Sequence, residues 1–460
     1  MFQRVPRLLS SLSAAARRLS STIATLTAPS GTTLDFPVDF LRENISSAWD
    51  AHSLQRVDNK MWHVSQVLTS KSLTETSWEL TFDDGVTGTF HLPAQEARKD
   101  VEDYPRTLWG GDATESSGPL ASTAMLQLLS QRHEQGGLRF SWKELEIENV
   151  LDTTTQLQPE QLGEGRANLS PSAALARSAL IEATHTYGMA MVDGVPRQPN
   201  QGVLFADRVV GAVETTNFGY KFVIKSVNEP HNLAFDSISL QHHTDFTYCK
   251  KPPDVALFHC LNNADEGGDS LWVDGFACAE ELRRVEPDAF ALLTQISVQH
   301  MDVTDKWDLQ ASHATIEVES TGGGGSAGAL KRIYFNERTR DSWRAWQKYG
   351  SGGSGSGGSR KEAAQFSPEF YDALKKFERI VEKTSLHINT PLQPGELVLF
   401  DNARVLHSRT EFVGARHMEG SYLEWGSAYA TWRSLQPQIT RAKEEYCGNV
   451  VGGSGGGTMT

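Results

Sequence analysis

Apolar residues along this chain gather in short blocks separated by turn formers, and the spacing inside each block predicts the element it forms. Apolar runs at Met189 to Val192, Val255 to Cys260 and Gly395 to Phe400, the last uncharged from Leu397 onward, predict short strands. Further strands are expected at Tyr220 to Ile224, Ile238 to Thr247, Leu330 to Phe335 and His417 to Trp425. Helical periodicity runs from Ala173 to Tyr187 and stops at Gly188. Phe276 to Leu293 also reads as helical, as does Glu369 to Lys383, which follows Pro368 at a favoured helix start. Nearer the N-terminus, strand formers from Trp78 to Leu92 flank Asp83-Asp84-Gly85, a hairpin turn signal. Many short strands with few helices predict a mainly β fold with flanking helices. A β-barrel or jelly roll preceded by a small N-terminal β-rich domain fits the pattern.

At 460 residues, the chain has room for one large domain and a smaller one. The start differs from the rest. Arg4, Arg7, Arg17 and Arg18 stand among Ser, Ala and Leu, and no acidic residue precedes Asp35. Such an Arg-rich, acid-poor segment predicts a transit peptide over residues 1–27, mitochondrial with a plastid as the alternative. A small β-rich domain is expected over 28–100, a connector over 101–170 and the main domain over 171–440, with a flexible tail over 441–460. Gly/Ser-rich inserts at 321–328 and 350–359 interrupt the main domain; they read as loops, because no Lys-Ser/Thr follows them to cradle phosphate.

Charge and cysteine narrow the function classes. A formal charge of −14 without a basic patch argues against nucleic acid. No apolar run approaches the ~20 residues that span a bilayer. Four scattered Cys make no disulfide framework and point to a reducing compartment.

The chemistry concentrates in Gln241-His242-His243-Thr244-Asp245-Phe246-Thr247-Tyr248. Two residues apart on a strand, His243 and Asp245 would share a face. A second His from a distant strand would complete the two-His, one-carboxylate set that suits non-haem Fe(II) and O₂ chemistry. His300 and Asp302 repeat the spacing without the motifs that follow the first pair, and read as an ordinary loop. After His243 and Asp245 come Gly267-Gly268-Asp269-Ser270 and then Leu397-Val398-Leu399-Phe400-Asp401-Asn402-Ala403-Arg404-Val405-Leu406-His407. Arg416 follows nine residues later.

In these ordered motifs the chain resembles the Fe(II)- and 2-oxoglutarate-dependent oxygenases of the TauD type, and among them the carnitine-biosynthesis branch of γ-butyrobetaine and trimethyllysine dioxygenases. The likeness covers most of residues 28–435 and is strongest over 235–280 and 395–425. It implies a double-stranded β-helix core, Fe(II) held by His243, Asp245 and His407, and 2-oxoglutarate as co-substrate with ascorbate in support. It implies Arg416 on the distal carboxylate of 2-oxoglutarate, where a guanidinium fork suits a planar anion, and a Ser270 hydroxyl beside it. Alternation along the last strand puts Arg416 and Tyr422 on one face. His242 and His259 read as structural, His242 on the strand face opposite His243.

For the substrate, the resemblance implies an aromatic cage around a trimethylammonium group, a cation that cannot donate hydrogen bonds. The matching positions are Phe218, Phe222, Phe235 and Tyr422, with Asn232 and Asn336 towards a substrate carboxylate. Hydroxylation of γ-butyrobetaine to carnitine stands slightly ahead of trimethyllysine hydroxylation, which the His-Thr-Asp-x-Thr-Tyr run and the nine-residue gap from His407 to Arg416 favour. A TauD-like oxygenase of another small acid and a non-catalytic small-molecule sensor are the other readings. γ-Butyrobetaine dioxygenases carry a Cys-rich N-terminal zinc site; no Cys precedes Cys249 here, so no such zinc is expected. A homodimer is compatible with the resemblance.

Overall fold

Three of the apolar runs lie side by side in the computed structural model of this protein. Val255–Asn262, Leu397–Asp401 and Met189–Asp193 are neighbours in a six-stranded sheet. The structure describes residues 23–48, 67–92, 100–111, 119–147, 169–225, 237–319, 328–345 and 364–436. The chain divides into two compact units: Met1–Arg98 with Pro437–Thr460, and Lys99–Gln436.

Strand order in the large sheet of the second unit is Phe222–Lys225, His417–Leu423, Val255–Asn262, Leu397–Asp401, Met189–Asp193, Arg139–Ser141, antiparallel except for the last pair. Arg139–Ser141 comes from the stretch read as a connector. A four-stranded antiparallel sheet, Leu240–His243, Val405–Arg409, Ser270–Asp274 and Ile388–Asn389, faces it. Rings from the two sheets meet between them: Phe258 lies 6.3 Å from Trp272, and Trp272 lies 5.1 Å from Phe400. Burying these large apolar faces against each other is the main drive for the arrangement.

Helices cover the flanks. Pro171–Tyr187 is capped by Ser170, whose hydroxyl accepts from Ala173 N at 3.2 Å, and ends at Gly188 with φ +83°. A Cβ on Gly188 would meet Val405 at 2.9 Å, at the start of the strand that carries His407. Pro368–Val381 buries Phe370, Ala373, Leu374, Phe377, Ile380 and Val381, one stripe at helical spacing. The single helix expected over Phe276 to Leu293 is two, Gly275–Val285 and Pro287–Gln295, because Pro287 has no N–H to continue the first. Arg404 and Asp274 form a fully buried ion pair at 2.7 Å. Asp274 also caps Gly275–Val285, and Arg404 donates to the carbonyls of Thr107 and Thr186. This pair ties the chain just before His407 to the chain just after Ser270.

In the first unit, Ser77–Phe82 is the centre of a three-stranded antiparallel sheet with Val67–Thr74 and Thr87–His91. The turn at Asp83-Asp84-Gly85 closes the hairpin, with Gly85 at φ +80°. Ile23–Thr27, inside the stretch read as a transit peptide, pairs with Thr33–Pro37. Leu26, Leu41, Trp78, Leu80, Phe82 and Phe90 are buried together. Both Gly/Ser inserts fall outside the described residues but for Gly328, as do residues 1–22 and 437–460. Among the described residues, no helix is long and apolar enough to cross a membrane.

Candidate metal centre and its cavity

Antiparallel pairing of Leu240–His243 with Val405–Arg409 sets His243 directly opposite His407, with ring centroids 4.3 Å apart. His243 Nδ1 lies 2.7 Å from the carbonyl of Gln241. A carbonyl only accepts, so that nitrogen carries the hydrogen and leaves the Nε2 lone pair free. Nε2 of His243 sits 3.5 Å from Asp245 Oδ1, and Nε2 of His407 sits 3.7 Å from the same oxygen. One ligand atom from each of the three residues lies within 4.8 Å of the others, the one such cluster of three or more His, Cys or acidic groups among the described residues.

Asp245 reaches this point by a route that alternation does not predict. The strand expected to run to Thr247 ends at His243, and Asp245 lies in the turn beyond it. Its backbone is held by Asn402, whose Oδ1 accepts from Asp245 N at 2.8 Å and whose Nδ2 donates to Asp245 O at 3.3 Å. Tyr422 donates its hydroxyl to Asp245 Oδ2 at 2.9 Å. Phe246 follows at φ +63°, a left-handed conformation that costs a non-glycine residue about 1 kcal/mol or more. The surrounding contacts sustain that strain.

The electrostatics match a metal-binding donor set. Burial holds the His407 imidazole well below its ordinary pKa, with the neighbouring His243 adding to the effect, so the ring is neutral, the form that ligates. Burial pushes the Asp245 carboxyl up, against the opposing pull of His243 and Tyr422, while burial and Asp245 keep the Tyr422 phenol protonated. A cation between the three side chains would relieve the cost of the buried carboxylate. Two imidazole nitrogens and one carboxylate oxygen are a fitting set for Fe(II).

The cluster opens into a cavity of about 400 Å³. At one side stand Ser270 and Arg416, both buried. Arg416 has no carboxylate partner among the described residues, and its Nε is buried without a hydrogen-bond partner. Its guanidinium lies 5.9 Å from the ring of Phe412. Burial pulls its pKa down to about 10, still far above neutrality. A buried, unpaired guanidinium is costly, and an anionic ligand would offset that cost. Arg409 also lines this side, and its guanidinium donates to the carbonyl of Ile238 at 2.7 Å.

The opposite wall is aromatic. Phe222 lies 5.0 Å from Tyr422, Tyr422 lies 4.8 Å from Phe246, and Phe246 lies 5.5 Å from Tyr248 and 6.0 Å from Phe218 at the rim. Gly420 makes room for this row, since a Cβ there would strike the ring of Phe222. Asn336 lines the cavity with its amide oxygen accepting from Arg338 N at 3.2 Å.

Of the residues proposed from sequence, the structure therefore gathers His243, Asp245, His407, Ser270, Arg416, Phe218, Phe222, Asn336 and Tyr422 around one cavity. Asn232 and Phe235 lie outside the described residues. His242 is buried on the other face of its strand, 3.2 Å from Glu382, and His259 is fully buried with neither ring nitrogen partnered among the described residues. Sequence reasoning missed Phe246 and Tyr248, although both stand within its principal motif, and Phe258, Asn402 and Asp302 as well. His300 and Asp302 are not in a loop: they belong to the strand Ser297–Val303, paired antiparallel with Asp308–Ala314. His300 is buried with Nδ1 3.0 Å from Thr339 Oγ1, and Asp302 lines the cavity.

The family model described as taurine catabolism dioxygenase TauD, TfdA family matches residues 153–422. Human gamma-butyrobetaine dioxygenase is 27% identical over 259 residues, covering 55% of this chain and 61% of that protein. Trimethyllysine dioxygenase of Meyerozyma guilliermondii is 28% identical over 240 residues, covering 52% of this chain and 55% of that protein. The chain thus spans less than two thirds of the length of either relative. Among solved structures, a putative alpha-ketoglutarate-dependent taurine dioxygenase from Burkholderia xenovorans aligns with 60% of this chain and 87% of its own at TM-score 0.37 and 15% identity.

Proposed function

Because the chain belongs to the TauD, TfdA family of dioxygenases, we propose that it is an Fe(II)- and 2-oxoglutarate-dependent hydroxylase of a trimethylammonium amino acid in carnitine biosynthesis, with γ-butyrobetaine as first candidate. The observation that carries this reading is the two-His, one-carboxylate cluster, which shares a cavity with an unpaired buried arginine and an aromatic wall. Relatives in both carnitine-pathway activities support the substrate class.

Nε2 of His243, Nε2 of His407 and a carboxylate oxygen of Asp245 would hold the iron. When bound with 2-oxoglutarate, iron supplies the oxidation, in which O₂ is consumed, 2-oxoglutarate leaves as succinate and CO₂, and a substrate C–H becomes C–OH. Arg416 would take the distal carboxylate of 2-oxoglutarate, next to the Ser270 hydroxyl. Tyr422 keeps its proton and so restrains Asp245 without competing as a base. Phe218, Phe222, Phe246 and Tyr422 would keep water from the reacting carbon and hold the cation by their ring faces, with Phe235 assigned to the same cage. Asn336 and Asn232 would turn to the substrate carboxylate. A mitochondrial site fits the Arg-rich first residues.

Trimethyllysine is the second substrate, favoured by the nine-residue spacing from His407 to Arg416. The full chain with Fe(II), ascorbate and 2-oxoglutarate is incubated with γ-butyrobetaine, trimethyllysine or taurine, and products are read by mass spectrometry alongside succinate. One oxygen gained by γ-butyrobetaine, with matching succinate, is the expected result. Oxidation of trimethyllysine alone transfers the assignment to that substrate, and oxidation of taurine alone or of none rejects the carnitine reading.

A further inference from the structure

Outside the metal cluster, Asp302 is the one carboxylate among the described residues that line the cavity. It arrives from the strand Ser297–Val303 together with Met301 and Val303, which line the cavity beside it. The cationic side chains of the lining are Arg338, Arg409 and Arg416, and none of them pairs with Asp302; Asp302 makes no ion pair among the described residues. Tyr248 also lines the cavity, close enough that the Asp302 charge, after burial, pushes its phenol pKa up. Tyr248 is the last ring in the row Phe222, Tyr422, Phe246, Tyr248. The cavity is therefore polar in a directional sense. Arg409 and Arg416 stand together about Phe412, whereas the aromatic row leads from Tyr422, on the metal cluster, to a carboxylate without a counter-ion.

A half-buried acid of this kind is destabilising unless something positive meets it, and no cation pairs with it among the described residues. The neighbouring rings cannot fully replace a charge. All four are Phe or Tyr rings of moderate quadrupole rather than Trp, and cation–π attraction is strongest over Trp. A quaternary ammonium has no hydrogen to donate, so its attraction to a carboxylate is Coulombic and tolerant of exact geometry, acting across an aromatic surface of low polarity.

We propose that Asp302 is the specificity-determining carboxylate of this cavity and selects substrates that carry a quaternary ammonium. The inference rests on the reading of the cavity as a substrate site, and it assigns to Asp302 the charge recognition that the aromatic wall alone supplies weakly. Tyr248 is assigned as a positioning residue: its ring closes the row beside the carboxylate.

The test uses the full chain loaded with Mn(II) and 2-oxoglutarate under argon, and calorimetric titration with γ-butyrobetaine and with its neutral tert-butyl carbon isostere. These two ligands share shape and carboxylate and differ in the charge at one end. The wild-type protein is expected to prefer the cation. Asp302→Asn lowers that preference about tenfold, Asp302→Glu recovers most of it, and Tyr248→Phe lowers it by a smaller factor. A thermal unfolding midpoint near that of the wild type shows that each variant is folded, and Asp302→Ala stands in if the Asn variant is not. A wild-type protein blind to the charge, or a preference that changes less than twofold in the Asp302 variants, overturns the proposal. Asp302-dependent cation preference without any hydroxylation would reject the carnitine reading while upholding Asp302. Hydroxylation with a preference indifferent to Asp302 would do the reverse.

Discussion

Two stretches of the larger unit carry a His and an Asp two residues apart, and they put the pair to different uses. On the chain through Leu240–His243, the strand stops after the His. The Asp then turns inward under the hold of Asn402 and Tyr422, and both side chains converge with His407. On Ser297–Val303 the strand continues through both residues. There the His is buried against Thr339, and the Asp emerges at the cavity, away from any His cluster. Spacing alone does not make a ligand pair. What makes one is a third donor across the sheet and a backbone break that lets the carboxylate leave its strand.

Substitution at the two pairs gives the largest contrast. His243→Ala or Asp245→Ala removes one of the three side chains proposed to hold iron, and iron-dependent succinate formation is expected to fall below detection. His300→Gln, which removes a buried ring outside the cluster, is expected to retain succinate formation and lose stability by about 1–3 kcal/mol. Succinate measured in all three proteins, with Mn(II) binding alongside, decides the matter. Turnover by Asp245→Ala within tenfold of wild type would sink the metal assignment.

How much of this was legible from sequence follows the same line between local and cross-chain information. The helix Pro171–Tyr187 and its Gly188 stop are encoded within a few residues, and periodicity finds them; the Ser170 cap, equally local, was not read. That His243, Asp245 and His407 come together was readable because ordered motifs surround them. The means of placing Asp245 was not, since it depends on Asn402, 157 residues away in sequence, and on a left-handed Phe246 that no alternation pattern announces. The same applies to Asp302, whose approach to Tyr248 depends on how a hairpin packs against a turn. The break at Pro287 was legible in principle, because proline at a helix start was already used to place Pro368–Val381. The Phe-rich wall was read in part: Phe222 and Tyr422 by resemblance, Phe246 and Tyr248 only from the fold.

If Asn402 rather than the strand places the carboxylate, its removal should weaken the metal site without touching a ligand. Asn402→Ala takes away the acceptor for Asp245 N and the donors to Asp245 O and Pro253 O. Groups that orient metal ligands typically account for about 10–100-fold in metal affinity. A fall of that size in Mn(II) affinity is expected for Asn402→Ala and none for His300→Gln. Equal affinities in the two variants would mean that Asp245 is positioned by its own turn, and the contrast between the strands would narrow to the presence of His407.

The smallest effect concerns the buried His itself. Burial, with His313 and Arg340 adding to it, pulls the His300 pKa from its ordinary 6.5 down to about 3. The folded protein therefore holds a neutral ring, while the unfolded chain takes up a proton below about pH 6.5. The contribution to stability is complete above that pH and is lost as pH falls towards 3, by about 1.4 kcal/mol for each pH unit at most. His242 and His259, both lowered to about 4 by burial, act in the same direction. They remain in both proteins when wild type is compared with His300→Gln, so the difference in slope belongs to position 300. Denaturant unfolding at pH 7, 6 and 5 should show the wild type losing stability more steeply than the variant. Parallel slopes would mean that His300 titrates freely, and the distinction between a ligating His on one strand and a packing His on the other would lose its electrostatic half.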